Sequence, residues 1–222
     1  MGSDWLAVAL LLTGCDPIPI GTRPREGLER ADFDVTNIEL SVVDVGMTRE
    51  IARFADREPV PALVINGGFF DREKRPVGLV IAGGDELSPL DVRLGGGVLW
   101  IRDGIARLSE AETYAEREVD FAIQGKPRLV VGGKTNIGGG DNSRAARTAL
   151  CIRDGGRRLE VTVWTFESGG VTLAELAGDM AAAGCEAALN LDGGPSSGWA
   201  RQNGEGRPPD APIRHAIVFR RR

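Results

Sequence analysis

Residues 172–197 read TLAELAGDMAAAGCEAALNLDGGPSS, a helix, a stop, a strand and a turn in succession. Thr172 with Glu175 three positions on has the form of a helix capping box. Leu173, Leu176, Ala177 and Met180 recur at helical spacing and make one apolar face. The pattern predicts a helix over 172–183, stopped by Gly184, since glycine enters the left-handed conformation of a helix end without a Cβ clash. Ala187 to Leu191 then reads as a short apolar strand that runs out into Asp192-Gly193-Gly194-Pro195-Ser196-Ser197.

Outward from this stretch the chain is a series of short apolar runs. Phe33–Val45, Pro61–Ile65, Val77–Ala82, Phe121–Ile123, Leu129–Val131 and Ile213–Phe219 read as strands. Gly97–Ile101 and Ile105–Leu108 flank Asp103-Gly104, and Thr148–Ile152 and Leu159–Phe166 flank Asp154-Gly155-Gly156, so each pair is expected as a hairpin. Glu50–Arg57 suits one short helix. The expected fold class is therefore α+β: a single domain with a large, mainly antiparallel twisted β-sheet and few helices, the main one at about 172–183.

A chain of 222 residues fits one domain, and its 31 glycines, about twice the usual share, favour tight turns over long helices. The net charge of −5 argues against general binding to nucleic acid, which calls for a basic face. Trp5–Leu12 is an apolar run too short to span a bilayer, and Leu12-Thr13-Gly14-Cys15 matches a bacterial lipobox. The expectation is a lipoprotein signal peptide over 1–14, lipidation at Cys15, a tether over 15–32 and a domain over 33–222. Met1-Gly2-Ser3-Asp4 lacks the basic residues of a signal n-region, which fits a truncated start. A membrane-anchored protein at the extracytoplasmic face of a bacterial envelope is the corresponding location. Cys151 and Cys185 are then the two cysteines of the domain, either bonded to each other or two small buried thiols.

Two strand ends share one design: Asn66-Gly67-Gly68 after Ile65, and Asp192-Gly193-Gly194 after Leu191. Glycine pairs let backbone N–H groups approach a ligand, and a polar residue at a strand end sits on a rigid support. Two ordinary turns would read the same way. Gly133-Lys134-Thr135 lacks the earlier glycine of a phosphate-binding loop, since Arg128 stands there, and Gly138-Gly139-Gly140 lacks dinucleotide-binding spacing. Ser196 and Ser197 have one histidine, His215, to work with and no nucleophile elbow, which argues against a serine hydrolase.

Four blocks together resemble the phosphodiester glycosidase family. They are Asn66-Gly67-Gly68-Phe69-Phe70 with Pro76-Val77-Gly78-Leu79-Val80-Ile81, then Gln124-Gly125-Lys126-Pro127-Arg128-Leu129-Val130, then Arg144 with Arg147-Thr148-Ala149, and finally Gly170–Ala177 with Ala188-Leu189-Asn190-Leu191-Asp192-Gly193-Gly194. They span roughly residues 60 to 200 in the family's order. The resemblance implies hydrolysis of a sugar joined through its anomeric carbon to a phosphodiester, on an envelope or exported glycan. It implies a carbohydrate or sugar-phosphate substrate and no cofactor. A divalent cation beside Asp192 is compatible with its carboxylate, but no carboxylate cluster calls for one, and no metal site is predicted.

Within that reading Asp192 is the carboxylate for the anomeric centre or the attacking water. Arg147 is the phosphate ligand, with Arg144 as second choice, because guanidinium binds oxyanions in a bidentate fork. Asn66 and Gln124 orient the substrate, and Gly67, Gly68, Gly193, Gly194 and Ser196 supply donors. Asp71 and Glu167 are spare carboxylates, and Phe69 and Phe70 a core residue and a pocket wall. Pro195 stands where the family pattern carries a third glycine, and Lys126 interrupts a Gly–Pro step. These departures keep a second reading in view, a non-catalytic glycan-binding lipoprotein of the same fold.

Overall fold

The computed structural model describes residues 28–222 other than 139, 141, 166, 168 and 203. The expected signal peptide, Cys15 and the tether up to residue 27 lie outside the described residues.

In chain order, β1 (Leu28–Asp34) and β2 (Ile38–Thr48) precede the short α1 (Ala52–Asp56) and β3 (Ala62–Asn66). Next come β4 (Val80–Ala82), β5 (Asp85–Ser88), β6 (Gly97–Arg102), β7 (Ile105–Glu110) and β8 (Phe121–Gly125). β9 (Arg128–Val131), β10 (Lys134–Thr135), β11 (Arg147–Arg153) and β12 (Arg158–Trp164) lead to α2 (Leu173–Ala182). β13 (Ala187–Asn190), β14 (Trp199–Arg201), β15 (Gly206–Arg207) and β16 (Ile213–Arg221) follow it.

The single large sheet expected from the pattern is instead three antiparallel sheets. Their strand orders are β1-β12-β11-β13-β9-β10, β15-β14-β3-β16-β2 and β5-β4-β8-β6-β7. The reason lies in how many strands are apolar on both faces: every residue of β3 and of β8 is buried. Helices of five and ten residues cannot cover both sides of one sheet of that size, so the sheets cover one another. Ile65 and Ile217, Ile123 and Leu99, and Leu150 and Leu189 come from the three sheets and meet in one central core. The outer face of the first sheet packs Ala149, Cys151 and Ala188 under Leu176, Ala177 and Met180 of α2. The outer face of the second packs Val64 and Ala216 against Ile51 and Ala55 at α1.

Other expectations resolve locally. The run Phe33–Val45 is two strands, because the Asp34 carboxylate accepts from the Thr36 N–H at 2.9 Å and starts a 3-10 turn. Both expected hairpins form, β6 with β7 and β11 with β12. In α2 the Thr172 hydroxyl accepts from the Glu175 N–H at 3.1 Å, and the Glu175 carboxylate accepts from the Thr172 N–H at 3.0 Å, completing the capping box. At its far end Cys185 N–H reaches the Met180 carbonyl and Gly184, at φ 86°, turns the chain left-handed. The cysteines are bonded: Cys151 and Cys185 form a disulfide that fastens the end of α2 to β11. No described helix is long and apolar enough to cross a membrane.

Candidate active site

The two glycine-pair turns come from different sheets, and Asn66 joins them. At the end of β3 its Nδ2 donates to the Asp192 carbonyl at 2.8 Å. Its Oδ1 accepts from the Thr148 hydroxyl at 2.7 Å and from the Gly198 N–H at 3.3 Å. Thr148, one residue into β11, is fully buried and also lies 3.3 Å from the Ser197 hydroxyl. The amide of Asn66 is thus committed to protein groups on both ends. It holds the Asp192 backbone.

Asp192 follows β13 and is half-buried. Its Oδ1 accepts from the Gly193 N–H at 2.9 Å, and the Ser196 hydroxyl bonds the same carboxyl group. Burial raises its pKa above the ordinary aspartate value, while the Ser196 and Gly193 bonds pull it down. Gly194 donates to the Ala146 carbonyl at 2.7 Å and sits at φ 59°, a conformation that favours glycine. A Cβ on Gly193 would lie 3.1 Å from the Ala146 oxygen and 3.8 Å from Cδ of Arg147. The Arg147 side chain therefore runs alongside the Asp-Gly-Gly turn. Arg147 is half-buried, and its guanidinium also reaches the Ser143 carbonyl at 3.3 Å and the Val171 carbonyl at 3.5 Å. Asp192, Arg147, Gly193, Gly194 and Ser196 form one cluster, steadied by Asn66.

Gly67 closes the other side. Its N–H donates to the His215 carbonyl at 2.9 Å, and a Cβ there would meet that oxygen at 3.0 Å. Gly68 lies next to the Ile123 side chain.

Two of the expected site residues have structural work elsewhere. Gln124 is buried; its Oε1 accepts from Leu79 N–H at 3.0 Å and Asp91 N–H at 3.1 Å, and its Nε2 donates to the Asp91 and Gly95 carbonyls at 2.8 and 3.1 Å. That uses the hydrogen-bonding capacity of a Gln amide in full. Arg144 is exposed and grips both oxygens of Glu175 at 2.8 and 2.7 Å, with the Gly170 carbonyl at 3.0 Å. The Thr172 N–H and this clamp hold the Glu175 carboxyl at about 2. Of the spare carboxylates, Glu167 pairs with Arg207 and Asp71 with Arg75.

Sequence reasoning gave no role to Thr148, Ser197 or Asn190. Asn190, at the end of β13, donates from Nδ2 to the Lys126 and Leu191 carbonyls at 2.8 and 2.7 Å and so fixes the turn between β8 and β9. The signal for all three was a polar residue inside or against an apolar strand. Among the described residues no three His, Cys, Asp or Glu side chains gather as a metal-binding set.

The phosphodiester glycosidase family matches residues 61–220 of the chain. No curated protein matches. Among solved structures, the chain is similar to the catalytic domain of zebrafish N-acetylglucosamine-1-phosphodiester alpha-N-acetylglucosaminidase, auto-inhibited by its pro-peptide. That likeness has a TM-score of 0.65 at 14% identity and covers 90% of this chain and 86% of that one. A protein from Synechocystis is similar with a TM-score of 0.62 at 15% identity, over 87% of this chain and 59% of that one. A protein of Burkholderia pseudomallei K96243 described as exported is similar with a TM-score of 0.54 at 12% identity, over 86% of this chain and 73% of that one. The match across residues 61–220, from β3 to the last strand, takes in both glycine-pair turns and Arg147, and the chain belongs to the phosphodiester glycosidase family.

Proposed function

We propose that this protein hydrolyses a sugar-1-phosphodiester outside the cytoplasm, with Asp192 and Arg147 at the reacting centre. The observation that carries the reading is the placement of a half-buried carboxylate, raised by burial, beside the guanidinium-bearing residue that opens β11. Asp192 takes a proton from the attacking water as its oxygen bonds to the anomeric carbon. The bond from that carbon to the phosphate oxygen breaks with its electron pair going to the phosphate. Arg147 receives the phosphomonoester so formed. The leaving phosphate is stable as an anion, which removes the need for a strong general acid. Ser196 and the Gly193 N–H keep the carboxylate oriented, and Asn66 keeps its backbone in place.

The Cys151–Cys185 disulfide supports a location in an oxidising compartment, and so does the likeness to a protein described as exported. A lipid anchor at Cys15 accords with the lipobox pattern. The test is release of free sugar from a panel of sugar-1-phosphate diesters by residues 16–222, alongside Asp192→Asn and Arg147→Ala. Turnover by the parent and its loss in both folded variants is the expected result. Saturable binding with no turnover by the parent would favour the glycan-binding reading instead.

A further inference from the structure

His215, whose carbonyl accepts from the Gly67 N–H, lines a cavity of about 370 Å³. Val42, Val80 and Leu87 line it together with the cations Lys74, Arg75 and Arg214, the carboxylates Asp44 and Glu73, and His215. The volume is that of a small-ligand site. Two of the three cations are already paired: Arg214 with Asp44, and Arg75 with Asp71 and Glu73. Lys74 has no carboxylate partner among the described residues; its Nζ lies 5.3 Å from the centre of the Phe70 ring.

Lys74 also occupies an unusual backbone position. Phe70 and Pro76 are bridged, and the turn between them closes with Asp71 N–H on the Arg75 carbonyl and Lys74 N–H on the Asp71 carbonyl. Lys74 stands at φ 66°, where glycine or asparagine is the unstrained choice. Lys74, one of the residues lining the cavity, therefore carries its long cationic side chain on a backbone conformation that residues with a Cβ rarely adopt. Leu87, about half exposed, adds apolar surface to the same lining.

The cavity and the candidate centre are neighbours. Asn66 bonds the Asp192 carbonyl and the next residue, Gly67, bonds the carbonyl of the cavity-lining His215, so two consecutive residues connect them. We propose that the cavity holds a second phosphate of the substrate, so that the substrate is a chain of repeating sugar phosphates with the scissile bond at Asp192 and a neighbouring phosphate at Lys74 and His215. The inference rests on the reading of Asp192 and Arg147 given above. Val42, Val80 and Leu87 then line the path of the carbon skeleton between phosphates.

His215 is the one histidine of the chain, so its ring resonance reports on this cavity without ambiguity. The experiment titrates glycerol 3-phosphate, with glycerol as control, into the parent protein, Asp192→Asn and Lys74→Glu, and follows that resonance by NMR. The expected result is a saturable shift with the phosphate in the parent and in Asp192→Asn, and its loss in Lys74→Glu. The same variants are assayed on diesters carrying one and two phosphates. Lys74→Glu is expected to lower kcat/KM on the two-phosphate compound on the order of five-fold, with the one-phosphate compound unaffected. No saturable shift in the parent, or an equal shift in Lys74→Glu, overturns the proposal, as does an equal kinetic effect on both compounds. Turnover of neither compound with the shift intact overturns the polymer assignment through the centre it rests on, and not through the cavity.

Discussion

Asn66 donates its side-chain amide to the backbone carbonyl of Asp192 at 2.8 Å, across 126 positions of chain. The bond ties the end of a strand in one sheet to the turn that carries the candidate catalytic carboxylate in another. The other end of the same amide is held by Thr148 and Gly198. The Asp192 backbone is therefore held by a residue whose own amide is bonded to protein groups at both ends.

Asn66→Ala strands the Gly198 N–H and the Asp192 carbonyl in a largely buried place and leaves the Thr148 hydroxyl with Ser197 alone. Unmet buried groups cost about 1–3 kcal/mol each, partly relieved by relaxation, so a loss of about 2–4 kcal/mol is expected in urea unfolding. The folded fraction is also expected to lose kcat, since the turn bearing Asp192 loosens. Full kcat in the folded fraction would make Asn66 a stability residue alone.

Gln124→Ala tests the opposite case. Its amide serves Leu79, Asp91 and Gly95, all protein backbone. Stability is expected to fall by about 2–4 kcal/mol, with KM and kcat per folded molecule unchanged. A raised KM at full folding would restore it as a substrate ligand.

Asp192→Asn should abolish turnover without weakening the fold at pH 7. The pKa of Asp192 is raised in the folded protein above the ordinary value of 3.8, so the folded state holds its proton more tightly than the unfolded chain. Its contribution favours folding in acid and is lost as pH rises from 3.8 through the folded value. The neutral Asn is therefore expected to match or exceed the parent in unfolding midpoint at pH 7, with the gap closing in acid. Ser196→Ala removes a bond that lowers this pKa, so the acid limb of the pH–rate profile should move to higher pH.

The Arg144–Glu175 clamp gives the reverse sign. Glu175 falls from 4.5 to about 2 in the folded state, chiefly through the Thr172 N–H and then through Arg144. Its stabilisation is present above 4.5 and disappears as pH falls through about 2. Glu175→Gln should lower the thermal midpoint at pH 7, and the difference from the parent should vanish toward pH 2. A constant difference across that range would assign the effect to the capping geometry and not to charge.

Removing the disulfide with Cys151→Ala and Cys185→Ala together releases a loop of 34 positions. Chain entropy predicts a loss of about 3.8 kcal/mol. Because both sulfurs are buried beneath α2, reductant should reach them only with unfolding. Rapid reduction of the native protein would contradict that.

Local order was readable from residue pattern. Thr172, Glu175 and Gly184 mark both ends of α2, and the hairpins around Asp103-Gly104 and Asp154-Gly155-Gly156 follow from their turn residues. The strand ends at Asn66 and Asp192 were visible as polar residues before glycine pairs, because capping, turn chemistry and alternation act within a few residues. The four blocks stood out by their resemblance to the phosphodiester glycosidase family.

Which strand lies beside which was decided by the tertiary structure. Phe121–Gly125 and Arg128–Val131 are separated by two residues, yet β8 joins β4 and β6 while β9 joins β13 and β10. Backbone N–H and C=O groups are alike at every position, so a strand's own residues do not name its partner; burial of both its faces does. The same holds for the polar side chains. Asn66 and Gln124 are the same chemical group and both follow apolar runs, and only long-range packing determines that one steadies Asp192 and the other holds the loop from Leu79 to Gly95.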